Sequence, residues 1–97
     1  MSNDRIDVLI AFFEIVAEDP RMTPVHISLY LALLSEHPAF KPNESIPVRR
    51  AQLMAKARLG ARSTYDKAMH DLHAFRYLLY YPSRQKGMSR VLLRKLE

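Results

Sequence analysis

Residues 58–67 read R-L-G-A-R-S-T-Y-D-K, with helix-forming sequence on both sides. A glycine and small polar residues between two helical patterns predict a tight turn, with Gly60 as the left-handed residue that ends the first helix. Upstream, residues 49–58 place helix formers around Leu53, Met54 and Ala57. Downstream, the pattern predicts a helix from Arg62 to Arg76. At about 100° per residue, Tyr65, Ala68, Met69, Leu72 and Phe75 share one face, and Ser63, Lys67, His70 and Ala74 point the opposite way. Arg62, Asp66 and His73 flank the outward face. The turn thus leads into a helix with an apolar side and a polar, partly cationic one.

Beyond Tyr77 the apolar period changes from helical to two. Leu78-Leu79-Tyr80-Tyr81 predicts a strand, residues 82–88 (P-S-R-Q-K-G-M) a loop, and residues 89–93 a returning strand with Val91 and Leu93 on one side. The expected result is a two-stranded hairpin with a basic tip, in which Gly87 permits a sharp reversal. Before the first of these helices, residues 37–45 read as a loop, and Ile46-Pro47-Val48 as a short edge strand, where proline is tolerated.

The N-terminal half is predicted to hold two more helices. Residues 4–17 set Ile6, Leu9, Ile10, Phe13 and Val16 at helical spacing after Ser2 or Asn3 as N-cap, and Val8, Phe12 and Ile15 widen that face. A helix apolar over so much of its circumference must be covered on more than one side, by its own chain or by a second copy. Thr23 caps the next helix and Pro24 starts it, since a missing N–H costs nothing there. That helix is expected to run to about His37 as a central scaffold, with Ile27, Tyr30, Leu31 and Leu34 on one face and Val25, Leu29, Ala32 and Leu33 on much of the other.

The chain has 97 residues, enough for one domain spanning 1–97. It contains no cysteine, which excludes disulfides, thiol nucleophiles and cysteine-based zinc sites. Its longest apolar runs fall far short of the ~20 residues that span a bilayer, and its first residues lack the charges of a secretory signal. A cytoplasmic protein is expected. Charge is divided unevenly: residues 1–48 hold three basic and seven acidic side chains, net −4, whereas residues 49–97 hold twelve basic and three acidic, net +9. A basic half attracts polyanions, chiefly nucleic acid, by releasing their counterions; alternatively it is a solvated surface that keeps the protein soluble.

Helix, short strand, helix, turn, helix, hairpin is an order that resembles the winged helix-turn-helix family. The resemblance is carried by R-R-A-Q-L-M-A-K-A-R-L-G as helix and turn, A-R-S-T-Y-D-K-A-M-H-D-L-H-A-F as recognition helix, and Y-L-L-Y-Y-P-S-R-Q-K-G-M-S-R-V-L-L as wing. With T-P-V-H-I-S-L-Y-L-A-L-L added, the chain is similar to small regulators of bacteria of the Bacteroidetes group, often found near mobile elements. The fold expected is mainly α with a small β-hairpin: a winged helix-turn-helix over residues 23–93 behind an additional N-terminal helix, 1–19, that pairs two copies.

The resemblance implies sequence-specific binding of double-stranded DNA, with the third helix in the major groove and the 82–90 wing on the backbone or in the minor groove. Arg62, Ser63, Asp66, Lys67 and His70 are then the base-reading candidates: Arg62 or Lys67 for guanine, Asp66 for cytosine N4, Ser63 for a phosphate or base edge. Arg49 and Arg50 would meet phosphates from the N-terminus of the bracing helix, where their charge gains nothing from the helix dipole. Arg84, Lys86 and Arg90 would do so from the wing. Asp66 opposes phosphate unless it orients Arg62 or reads a base. The competing reading is a winged helix that has lost DNA binding and meets a protein partner through its N-terminal helices.

His70 and His73, with Asp66 a turn earlier, invite a metal reading, but zinc needs three or four converging ligands and a solvated histidine pair is the simpler account. No glycine-rich phosphate loop or nucleophile arrangement occurs, so neither an enzyme nor a cofactor is expected. Tyr77, Tyr80 and Tyr81 suit packing in and beside the wing strand more than stacking on bases.

Overall fold

The computed structural model describes residues 4–36, 45–85, 89–94 and 96. In chain order they form α1 (Asp4–Ala17), α2 (Pro24–Ser35), β1 (Ser45–Pro47), α3 (Arg50–Ala57), α4 (Arg62–Ala74), β2 (Leu78–Tyr81) and β3 (Arg90–Leu93). The chain is mainly helical with one small antiparallel sheet, of strand order β1-β3-β2. The predicted two-stranded hairpin therefore has a third strand. Ile46 pairs with Val91 and Pro47 with Arg90 on one side of β3, while Tyr80 pairs with Val91 and Leu78 with Leu93 on the other. Pro47 has no N–H to donate and sits in an edge strand. Val48, expected within that strand, follows it and donates its amide to the Ser89 carbonyl at 2.9 Å.

Thr23 is the N-cap of α2 and Pro24 opens the helix, as expected. The helix ends at Ser35, two residues short of the prediction; His37 lies outside the described residues, as do Ser2 and Asn3. Packed against α3 and α4, α2 buries Leu29, Tyr30, Ala32, Leu33 and Leu34, the scaffold role read from its two apolar faces. The Ser28 hydroxyl donates to the Ala57 carbonyl at the end of α3 at 2.7 Å, and Lys56 reaches Glu36 at 3.3 Å.

The orientation of α1 corrects the sequence reading. Phe12, assigned to the margin of the apolar face, is fully buried, whereas Ile6, Ile10 and Phe13 from its centre are 51%, 52% and 46% exposed. The cause is aromatic: Phe12 stacks on Tyr30 at 4.0 Å with the planes 10° apart and meets Tyr77 edge-on at 5.8 Å. A ring pair adds about 0.5–1.5 kcal/mol beyond its buried area. Leu9, Ile15 and Val16 pack as a half-buried rim.

The turn between α3 and α4 corrects a second expectation. Gly60 is not in the left-handed region; Arg58 is, at φ 60° and ψ 41°. The Leu59 amide donates to the Met54 carbonyl at 2.9 Å and the Arg58 amide to Ala55 at 3.3 Å, the bonding of a Schellman terminus that closes two residues before the glycine. The same motif ends α4 at Ala74. Arg76 stands at φ 70°, the Tyr77 amide donates to Leu72 at 3.0 Å and the Arg76 amide to His73 at 3.1 Å. Buried Leu72 and Tyr77 fall at the paired apolar positions of the motif, so packing places an arginine where a glycine would cost less.

Between α1 and α2, Asp19 ties the chain to the sheet side. Arg21 donates to both Asp19 carboxylate oxygens at 2.9 Å, and the Tyr77 hydroxyl donates to Oδ2 at 2.8 Å. The Arg21 guanidinium also lies 4.3 Å from the centre of the Phe75 ring. Arg21 holds the Asp19 carboxyl well below the usual carboxylate range, and burial, with the bond to Asp19, pushes the Tyr77 phenol up to about 12. Among the described residues, no helix is long and apolar enough to cross a membrane.

Candidate nucleic-acid interface

Three segments place their arginines on one cleft. Arg49 is the N-cap of α3 and Arg50 its first residue, Arg62 opens α4, and Arg84 follows β2. The cleft encloses about 1020 Å³ and is lined by Val48, Arg49, Arg50, Ala51, Gln52, Arg62, Tyr65, Asp66, His70, Tyr80, Pro82, Ser83, Arg84, Gln85 and Ser89. Among the described residues the cleft is thus lined by four arginines and one carboxylate, a balance that concentrates positive potential and favours anions. Six of the ten residues singled out in the sequence meet here: Arg49, Arg50, Arg62, Asp66, His70 and Arg84.

Three of the other four, Ser63, Lys67 and Arg90, do not line it. Ser63 and Lys67 are exposed on α4 but do not line the cleft. Arg90 opens β3, within the strand read over 89–93, and its guanidinium donates to the Ser45 hydroxyl and carbonyl, both at 3.0 Å, which ties β3 to β1. Arg90 is exposed and keeps further N–H donors beyond these two. Lys86 lies outside the described residues, and so does Gly87.

α4 presents the amphipathic surface read from its sequence. Tyr65, Ala68, Met69 and Leu72 are buried, Phe75 is half-buried, and Arg62, Ser63, Lys67, His70 and Ala74 are exposed. Arg62 Nε lies 3.7 Å from Asp66 Oδ2, an i,i+4 pair open to solvent and worth a few tenths of a kcal/mol. Asp66 is thus within ion-pair reach of Arg62, and both line the cleft. Lys67 donates to Asp71 Oδ2 at 2.9 Å. Both histidines of M-H-D-L-H are exposed, as read from the sequence, and each also has a partner in β2: His70 packs edge-on to Tyr80 at 5.3 Å, and His73 Nδ1 accepts the Tyr80 amide at 2.9 Å. Both anchor β2 to α4. Tyr81, at the end of that strand, is 49% exposed.

Two features escaped the sequence. One is the link that seats α4 on α2. His26 is buried in the first turn of α2, where its Nδ1 accepts the Thr23 amide at 3.0 Å, so its Nε2 carries the proton directed at Asp71 Oδ2, 2.9 Å away. The bonds from His26 and then Lys67 hold the Asp71 carboxyl below its usual range. The only sequence signal was a histidine three residues after the cap, where glutamate or glutamine commonly reaches back.

The other is Tyr65. It is 1% exposed, and its hydroxyl has no hydrogen-bond partner among the described residues. Leaving a buried hydroxyl unsatisfied costs about 1–3 kcal/mol, a cost that phenylalanine would avoid. Burial raises its pKa first, followed by Tyr80 and Asp66, while Arg50 opposes them; these three neighbours all line the cleft. The signal in the sequence was a tyrosine on an otherwise apolar helix face.

Comparison of the chain with protein-family models, with curated proteins and with solved structures found no match. Functional interpretation therefore rests on the chemistry of this cleft and the helix beside it.

Proposed function

We propose that the chain is a winged helix-turn-helix protein that binds double-stranded DNA as a transcriptional regulator or an accessory factor of a mobile element. α3 braces α4, the exposed N-terminal half of α4 enters the major groove, and the 82–90 segment lies on the backbone or in the minor groove. The observation that carries this reading is the convergence of Arg49, Arg50, Arg62 and Arg84 beside the exposed side of α4, against the single carboxylate of Asp66. The half-exposed Ile10 and Phe13 of α1 support pairing of two copies, which would present two recognition helices to paired half-sites.

The test is the salt dependence of binding to random duplex. If the four arginines each displace a counterion, log K falls against log salt with a slope of about −3.5. Negligible binding at low salt would instead favour a protein-interaction module docking through α1. Sequence preference, read by selecting bound sites from a random library, would then separate specific from general affinity.

A further inference from the structure

We propose that the cleft between α3, α4 and the β2–β3 hairpin is a phosphoryl-anion site in which the buried Tyr65 hydroxyl donates to a phosphate oxygen held by Arg49 and Arg50. Tyr65 is 1% exposed and lines the cleft; its hydroxyl is closed to solvent and unpartnered among the described residues, so the ligand reaches it by displacing the side chains that cover it. A phenol is a donor across the neutral range, and burial pushes its pKa further up, so an acceptor-rich ligand suits it. Tyr30, whose hydroxyl is also buried and without a partner among the described residues, does not line that cleft.

The helices next to Tyr65 favour the same ligand. Neither α3 nor α4 has a side-chain hydrogen bond at its N-cap, and neither has an acid in its first turn. Their first N–H groups carry partial positive charge, and Arg49, Arg50 and Arg62 add full charges at those ends, where the dipole disfavours cations. An anion seated between them reverses that penalty. Phosphate suits the site better than a carboxylate, because its oxygens can accept from two guanidinium groups and a phenol together. At about 1020 Å³ the cleft also has room for the group to which the phosphate is attached.

This inference deepens the DNA reading without depending on it. A backbone phosphodiester is the source if the protein holds duplex, and a free phosphorylated small molecule is the source if it does not. The experiment is an NMR titration of tyrosine-labelled protein with inorganic phosphate at constant ionic strength, repeated with Tyr65→Phe and Tyr30→Phe and then with short duplex as competitor. The expected result is a saturable shift of the Tyr65 ring, about tenfold weaker phosphate binding in Tyr65→Phe as judged from the remaining resonances, and wild-type binding in Tyr30→Phe. Because Tyr65→Phe removes an unsatisfied group, it should fold at least as well as wild type. Displacement by duplex upholds the site with DNA as its source; saturable binding that duplex leaves unchanged upholds it with a free phosphorylated ligand. No saturable shift, or equal phosphate binding in wild type and Tyr65→Phe, overturns the proposal even if duplex binds with the salt dependence given above.

Discussion

His26 Nε2 and Asp71 Oδ2 lie 2.9 Å apart and join the first turn of α2 to the last turn of α4. The bond is the polar counterpart of the apolar contact between those helices, and it also positions Lys67, which shares the same carboxylate oxygen. Asp71→Ala would leave a buried imidazole N–H unsatisfied, so a loss of about 1–3 kcal/mol in denaturant unfolding is expected. Asp71→Asn should lose less, since its amide oxygen can still accept.

The same carboxylate links stability to pH. Its folded-state pKa is depressed by His26 and Lys67, so its contribution is fully present above the unfolded-state value and is lost as pH falls through the lower folded-state value. Asp19, depressed by Arg21, acts in the same direction. Denaturation midpoints measured downward from about pH 5 should fall for the wild type and fall less steeply for Asp71→Asn. Parallel curves would contradict the linkage.

Helix termination gives a second pair of expectations. Arg76→Gly relieves a left-handed conformation that costs an L-residue about 1 kcal/mol, partly offset by the greater unfolded-chain freedom of glycine, and should leave Tm equal or higher. Gly60→Ala should also be tolerated, because an added Cβ meets nothing within 4 Å and the backbone is not left-handed. Its expected gain is about 0.4–1 kcal/mol. A marked loss of stability in Gly60→Ala would restore the glycine to the role the sequence assigned it.

The two sides of α1 should respond oppositely. Phe12→Ala removes the ring stacked on Tyr30 and should cost about 3–5 kcal/mol. Ile10→Asp alters a half-exposed position and should cost the monomer little, whereas Phe13→Asp also removes a ring edge-on to Phe12 at 5.6 Å and should cost about 0.5–1.5 kcal/mol more. If α1 pairs two copies, these variants shift the protein to monomer in sedimentation or light scattering, while circular dichroism is unchanged.

For the duplex reading, Arg62→Ala and Lys67→Ala should lower specific affinity by about 1–3 kcal/mol if they read bases, without loss of helix content. Arg50→Ala or Arg84→Ala should instead weaken all sequences alike and reduce the magnitude of the salt slope by about 1 each. Arg90→Ala should also lower stability, since its guanidinium bonds Ser45 and ties β3 to β1.

Much of the architecture was legible because periodicity is local. The helical spacing of Tyr65, Ala68, Met69 and Leu72 identified the buried side of α4, and the alternation of Val91 and Leu93 identified that of β3. Thr23-Pro24 likewise marked the start of α2. Local pattern failed at α1, where nearly every face is apolar and the stacking of Phe12 on a residue of another helix selects which one turns inward. It failed again at Gly60, because the end of α3 is set where Leu59 and Met54 can pack, before the most permissive residue is reached.

The basic character of the second half and the order of its elements belong to the sequence alone. Only the tertiary structure decided which cations act together: it gathered Arg49, Arg50, Arg62 and Arg84 on one cleft, bonded Arg90 to Ser45, and set Tyr65 against that cleft with an unanswered hydroxyl. Charge and helical period are properties of neighbouring residues, and a sequence displays them directly. Convergence and hydrogen-bond satisfaction depend on residues brought together from different elements, and they exist only once the chain has packed.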